Sequence, residues 1–194
     1  MDKIHFIRVL DSDSRDYSNR PLLADAVLEH PEWTLIVLDK MSAIENKNSD
    51  MSARVLELAC KEDLRLIFLC LDEFSTLISK LKLDGSIRAS AKIIELLCVE
   101  YFVKFNPIYI KILNDKHLEQ FTESCFDWMI TDKAIAIQAH SMYSLYLLGT
   151  KYSWIHTELV QNIERNLLQE SAGYQNRGKK IITAIKTDRI LKLY

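Results

Sequence analysis

Two short motifs in the second half of the chain contain residue types that could do chemistry. His156-Thr157-Glu158 has the spacing of the His-x-Glu motif of zinc deaminases, in which the histidine binds the metal and the glutamate moves a proton. The Pro-Cys-x-x-Cys motif that supplies the other ligands occurs nowhere in the sequence. We therefore expect His156 to lie at the start of a helix and to bind no metal.

The second motif, Cys125-Phe126-Asp127-Trp128, contains a thiol that could act as a nucleophile, and His140 is a separate candidate for a catalytic histidine. Helical spacing places Cys125 and Trp128 on one apolar stripe and Asp127 on the opposite side. His140 stands in the most apolar segment of the chain. We expect Cys125 to pack in the core and His140 to be a hydrogen-bonded residue at its edge.

Other catalytic and ligand-binding motifs do not occur in the sequence. It has no His-Glu-x-x-His, Glu-x-x-His or Cys-x-x-Cys set for a metal, and no glycine-rich loop for a phosphate. We therefore expect a protein that is not an enzyme, with no catalytic, cofactor-binding or metal-binding residues and no cofactor. Trp33, Trp154 and the tyrosines at 143, 146 and 152 are interpreted as core residues and wedges between repeats.

Charge is distributed unevenly along the chain. The net charge is −2, yet residues 174–194 hold six basic residues and one acidic residue. Such a segment is typical of a solvated helix face, or alternatively of a docking surface for an anionic partner. The candidate docking residues are Arg177, Lys179, Lys180, Lys186, Arg189 and Lys192.

Composition indicates the compartment and the fold class. The four cysteines form no pairs or clusters, the chain opens without an apolar leader, and no apolar run is long enough to span a membrane. We expect a cytoplasmic protein with no membrane partner. With 4 Gly and 3 Pro in 194 residues, long stretches can run as helix, which predicts one all-α domain over residues 1–194.

Helical periodicity predicts where the main elements lie. We expect a long helix over 87–103, an irregular piece over Phe105–Leu113, and a helix capped by Asn114 or Asp115. Residues 134–147 are apolar nearly all round, which predicts a helix buried on more than one side and ended by Gly149. Two further helices are predicted near 154–170 and 174–191.

One helix pattern recurs along the chain. The segments 84–97 and 132–145 both begin with an aspartate and place a small residue in mid-helix, Ala91 and Ala139, followed by Ile94 and Met142. A further copy around Ala53 places Leu56, Glu57 and Cys60 where the segment 84–97 and its continuation have Ile94, Glu95 and Cys98. A small residue lets a neighbouring helix approach closely, so the repeat predicts stacked helix pairs.

The pattern Asp-x-x-Ile-Arg-x-x-Ala at 84–91 resembles the second helix of a HEAT repeat. The runs at 125–159 and 171–182 resemble a small bacterial family of HEAT-like proteins, and the resemblance extends from about residue 18 to the C-terminus. Some members carry the name adenylosuccinate lyase. This chain lacks that enzyme's serine- and glycine-rich catalytic loop and is too short for its central bundle, so the sequence does not support the name.

The resemblance implies a short α-α superhelix of stacked helical hairpins, of the HEAT or armadillo kind. Such stacks curve and offer a concave surface to peptides or proteins. We therefore expect a non-enzymatic interaction module whose partner is another protein, with the helices at 86–103 and 133–148, or their exposed ends, lining the surface. The alternative is a nucleic-acid-binding HEAT-like protein that uses the basic C-terminal helix.

Overall fold

The computed structural model describes residues 1–12, 18–131, 134–167 and 170–187, and every element in these ranges is helical. No strand occurs in these ranges, which confirms the prediction of an all-α fold. With few glycine and proline residues to interrupt them, amphipathic segments can bury their apolar stripes only by packing on one another. Over the same residues, no helix has both the length and the apolar character needed to cross a membrane.

The chain packs as two compact units, Met1–Ile93 and Ile94–Tyr194, and the boundary between them falls inside one long helix. The single domain expected from length stays a prediction. The helices that begin in the first unit are α1 (Lys3–Leu10), α2 (Asn19–Glu29), α3 (Thr34–Met41), α4 (Asn48–Glu62), α5 (Leu71–Leu77) and α6 (Asp84–Phe102), with short 3-10 helices at Pro31–Trp33, Leu64–Cys70 and Ile78–Lys80.

Helix α4 lies at the centre of the first unit, where α2, α3 and the 3-10 helix Leu64–Cys70 all pack against it. Its buried face also holds a carboxylate, because the side chain of Glu57 is only 2% exposed. Burial raises the pKa of Glu57, but hydrogen bonds from Arg54 and Lys61 on the same helix lower it by more, so the net shift is downward. The buried charge is thus neutralised within one helix.

The start of α6 is fixed by an aspartate from α4. Oδ1 of Asp50 accepts hydrogen bonds from the backbone N–H and the hydroxyl of Ser86, both at 2.7 Å. Gly85 leaves room for this contact, since a Cβ there would lie 2.6 Å from Cγ of Asp50. Sequence analysis places aspartates at the front of the repeated helices. Asp84 does lie in the first turn of α6, whereas Asp132 is outside the described residues.

Helix α9 is central to the second unit in the same way. The unit contains the later part of α6 followed by α7 (Pro107–Ile112), α8 (Asp115–Ile130), α9 (Ile135–Leu148), α10 (Ser153–Asn166) and α11 (Ala172–Lys186). Helices α8, α10 and α11 all pack against α9, whose residues from Ser141 to Leu148 are buried. The prediction of a helix buried on several sides over 134–147 is confirmed.

The prediction of an irregular piece over Phe105–Leu113 is wrong, because Pro107–Ile112 forms the helix α7. Asn106 caps it by accepting from the backbone N–H of Ile108 at 3.2 Å, and Pro107 occupies the first turn, where its fixed φ suits a helix. Six residues are too few to show a helical period. Just before them, Phe105 has a φ of 50°, a left-handed conformation that is rare outside glycine.

Helix α8 begins and helix α9 ends at the residues that the sequence predicts. Asn114 is the N-cap of α8, with a capping box completed by His117. Gly149 ends α9, as predicted, although its φ of −63° is open to any residue. The glycine is required by space, because a Cβ would overlap the imidazole of His156. Nε2 of His156 donates to the carbonyl of Tyr146 at 2.8 Å, which holds the ring beside the glycine.

We predict that Asp50→Ala lowers the free energy of unfolding by about 1 kcal/mol, the usual cost of losing a helix cap. Urea denaturation followed by circular dichroism measures this change. Asp39→Ala is the matched control, because Asp39 is exposed on α3, and it should stay within about 0.5 kcal/mol of the parent protein. Equal losses in the two variants would show that Asp50 does not act as a cap.

Candidate functional site

The histidine that sequence analysis places at the edge of the core is paired with a buried glutamate. Nδ1 of His140 on α9 donates to Oε2 of Glu95 in the later part of α6 over 2.8 Å. The Glu95 side chain is fully buried and that of His140 is 20% exposed. The expectation of a hydrogen-bonded histidine at the core edge is confirmed. The partner lies 45 positions away, which helical periodicity does not predict.

The cysteine next to this pair is not poised for nucleophilic chemistry. Cys125 is buried on α8, and burial raises the pKa of its thiol to about 12. Trp128 is buried beside it while Asp127 is exposed, as the stripe predicts. Burial also raises the pKa of Cys70 to about 12 and shifts the pKa of Cys60 and of Cys98 upward. A protonated, buried thiol is inert, so these four cysteines act in packing.

His156 likewise has a structural role. It lies in the first turn of α10, where sequence analysis expects it, and its ring stacks on Tyr146 with centroids 5.6 Å apart. Glu158 is exposed and does not complete a ligand pair with it. Over the described ranges, no three His, Cys, Asp or Glu side chains are grouped so that they could hold a metal ion.

The candidate basic docking surface lies on α11 and in the residues that follow it. Lys179 and Lys180 are exposed, whereas Arg177 is half-buried with its Nη1 atom out of contact with solvent. Nζ of Lys186 is 3.7 Å from Oε1 of Glu164 on α10. Arg189 and Lys192 lie outside the described residues. The docking surface stays a prediction, and within α11 its exposed cations are the three lysines.

A small pocket on the second unit combines aromatic rings with carboxylates. It has a volume of about 170 Å³ and is lined by residues of α8 and of the turn that leads into α10. The lining residues are Glu119, Thr122, Glu123, Tyr152 and Trp154. We call this the α8–α10 pocket.

The position of Trp154 corrects the sequence interpretation. Its side chain is 56% exposed, whereas Trp33, Tyr143 and Tyr146 are buried as core residues. The buried stripe of α10 consists of Ile155, Leu159 and Ile163, and Trp154 lies one residue ahead of it. That offset was the signal in the sequence that could have identified the exposed ring. Tyr152, also expected in the core, is only partly buried.

Asp115 fixes the position of Tyr152, one of the aromatic residues that line the pocket, through an ion pair and a hydrogen bond. Oδ1 of Asp115, in the first turn of α8, accepts from Nζ of Lys151 at 2.6 Å and from the hydroxyl of Tyr152 at 2.7 Å. The lysine hydrogen bond, followed by that of the tyrosine, lowers the pKa of Asp115. The same contact raises the pKa of Lys151. The turn before α10 is therefore tied to the start of α8.

The pocket is also lined by two glutamates and by the ring of Trp154. Glu119 and Glu123 lie one turn apart on α8 and are both exposed. Within the part of the chain that the structure describes, neither carboxylate has a hydrogen-bonding or ionic partner. The Trp154 ring stacks on Phe126 of α8, with centroids 6.1 Å apart and an interplanar angle of 22°. The pocket thus offers ring faces and carboxylate acceptors, and none of its described lining residues is a cysteine, histidine or lysine.

We predict that His140→Ala lowers the free energy of unfolding by about 2 kcal/mol, because the buried Glu95 carboxylate loses its hydrogen bond from the imidazole. His5→Ala is the control, since His5 is exposed, and it should change stability by less than about 0.5 kcal/mol. Adding Glu95→Gln to His140→Ala should recover part of the loss by removing the buried charge. A double variant no more stable than His140→Ala would rule out that explanation.

We also predict that the thiols are unreactive in the folded protein. With Cys70 and Cys125 at a pKa of about 12, almost no thiolate is present at pH 8, and all four sulfurs are buried. An aromatic disulfide reagent at pH 8 should label none of them within minutes and all four in 6 M guanidinium chloride. Rapid stoichiometric labelling of the native protein would contradict the packing role.

Comparisons of the chain with protein-family models, with curated proteins and with solved structures give no match. Its function must therefore be inferred from its own surface and from the α8–α10 pocket.

Proposed function

We propose that the protein is a non-enzymatic interaction module of the HEAT-like helical-repeat kind, and that its α8–α10 pocket receives a side chain from an extended segment of another protein. The observation that carries the proposal is the exposed Trp154 ring in a preformed pocket. Tryptophan is enriched among the residues that dominate binding energy at protein interfaces. An indole that is 56% exposed, yet braced by Phe126, loses little conformational freedom when a partner covers it.

Burial at the repeated positions supports the helical-repeat part of the proposal. Leu56, Ile94 and Met142 occupy the same place in the three copies, and all are fully buried. The small residues Ala53 and Ala91 are also fully buried, as close helix packing requires, while Ala139 is partly exposed. The third copy is thus the most degenerate.

The packing of α9 favours α8 and the turn before α10 as the binding surface. Sequence analysis expects the helices at 86–103 and 133–148, or their ends, to line a concave face. Because α8, α10 and α11 all pack on α9, most of that helix is covered from several sides. Helix α8 instead turns Glu119 and Glu123 outward beside Trp154.

Selection from a displayed library of short peptides tests the proposal. We expect enriched peptides that bind the parent protein and lose about tenfold or more in affinity to Trp154→Ala, the usual scale for a tryptophan that anchors an interface. Leu69→Ala is the matched control, because Leu69 is 51% exposed on the 3-10 helix Leu64–Cys70, and it should bind like the parent. Failure to enrich any peptide, or enrichment insensitive to Trp154→Ala, would contradict the proposal.

Nucleic-acid binding is the competing function, and a separate DNA-binding assay tests it. It would depend on α11, where Lys186 is paired with Glu164 and Arg177 is half-buried. Labelled single- and double-stranded DNA should not be retained at low salt. Salt-dependent retention that disappears in Lys179→Ala/Lys180→Ala would instead favour the basic helix as the functional surface.

A further inference from the structure

We infer that the α8–α10 pocket selects the side chain of an arginine on the bound segment, an inference that rests on the proposed peptide-binding function. The pocket combines two features that suit a guanidinium group and that few other side chains can use together. One is an exposed aromatic face, and the other is a pair of carboxylates without partners in the described chain.

The aromatic face is provided by Trp154. Indole attracts a cation over its ring more strongly than the other aromatic side chains, and arginine can also stack its plane on the ring. Phe126 stacks on Trp154 at an interplanar angle of 22°, and the hydroxyl of Tyr152 is held by Asp115. The rings are therefore fixed before a ligand arrives, which reduces the entropy lost on binding.

The carboxylates come from one turn of α8. Glu119 and Glu123 both line the pocket, and their spacing of four residues places them on the same helix face. A planar guanidinium has several N–H donors and can bind such acceptors in pairs, whereas an ammonium acts as a point charge. Lys151, the cation at the turn, is already engaged by Asp115, so its charge is compensated locally.

The dimensions of the pocket limit its occupant. A volume of about 170 Å³ matches one long side chain and is too small to enclose a whole helix or strand. An aliphatic side chain could cover Trp154 but would desolvate two carboxylates without replacing their hydrogen bonds, which is unfavourable. An acidic side chain would be repelled. Arginine alone combines an apolar stem, a stacking plane and paired donors.

Three versions of one fluorescein-labelled probe test the inference. The probe is a capped pentapeptide of alanine and glycine with arginine, lysine or citrulline at its centre, titrated by fluorescence polarisation. Citrulline keeps the shape of arginine and removes its charge. We expect the arginine probe to bind about tenfold more tightly than the citrulline probe, with lysine between them.

Substitution of the two glutamates tests the site. In Glu119→Gln/Glu123→Gln, the difference between arginine and citrulline should shrink to less than about twofold, since the charge-assisted hydrogen bonds are lost. Glu29→Gln/Glu62→Gln is the matched control. It removes the same charge from exposed positions on α2 and α4 and should leave the difference unchanged.

The outcomes separate this inference from the proposed function. Library peptides that depend on Trp154 but contain no basic residue, with equal binding of arginine and citrulline probes, would overturn the inference and leave the function standing. Absence of any Trp154-dependent peptide would overturn the function and, with it, the inference. A concentration-dependent dimer that is lost in Glu119→Gln/Glu123→Gln would show that a second copy of the chain fills the pocket, which also overturns the inference.

Discussion

A carboxylate inside a helical core needs a partner, and Glu95 meets that need with His140. Moving the two helices apart would break a hydrogen bond to a buried charged group, which costs about 1.5–3 kcal/mol. The pair joins the later part of α6 to α9, and α9 is the helix on which α8, α10 and α11 all pack. The pair therefore fixes the later part of α6 against the helix that supports α8 and α10, which line the α8–α10 pocket.

The first unit also contains a buried carboxylate, but its charged partners lie on the same helix. Glu57 aligns with Glu95 in the recurring sequence pattern of this chain. Its carboxylate is neutralised by Arg54 and Lys61 on its own helix. Elsewhere on α4, Asp50 caps the start of α6. The partners of Glu57 thus lie on the same helix, whereas the hydrogen bond of Glu95 to His140 joins two helices.

Local signals in the sequence were sufficient for most of the fold. The stripe containing Cys125 and Trp128, the cap at Asn114 and the all-round apolar character of 134–147 each involve neighbours within a few turns, and each is confirmed. The contacts that position the pocket were not predictable in this way. Asp115 and Tyr152 lie 37 positions apart, and a pairing at that separation depends on how helices pack. Residue type alone predicts a buried Trp154, whereas its offset from the buried stripe of α10 indicates an exposed ring.

The contact between Gly149 and His156 has a consequence for how the sequence can evolve. The backbone at 149 tolerates any residue, and the imidazole of His156 supplies the three atoms nearest to where a methyl group would lie. The two positions are therefore epistatic. Glycine should persist in every relative that keeps the histidine, and a larger residue at 149 should become acceptable only after 156 has become smaller. The order of substitutions is constrained although neither residue is confined by its own backbone.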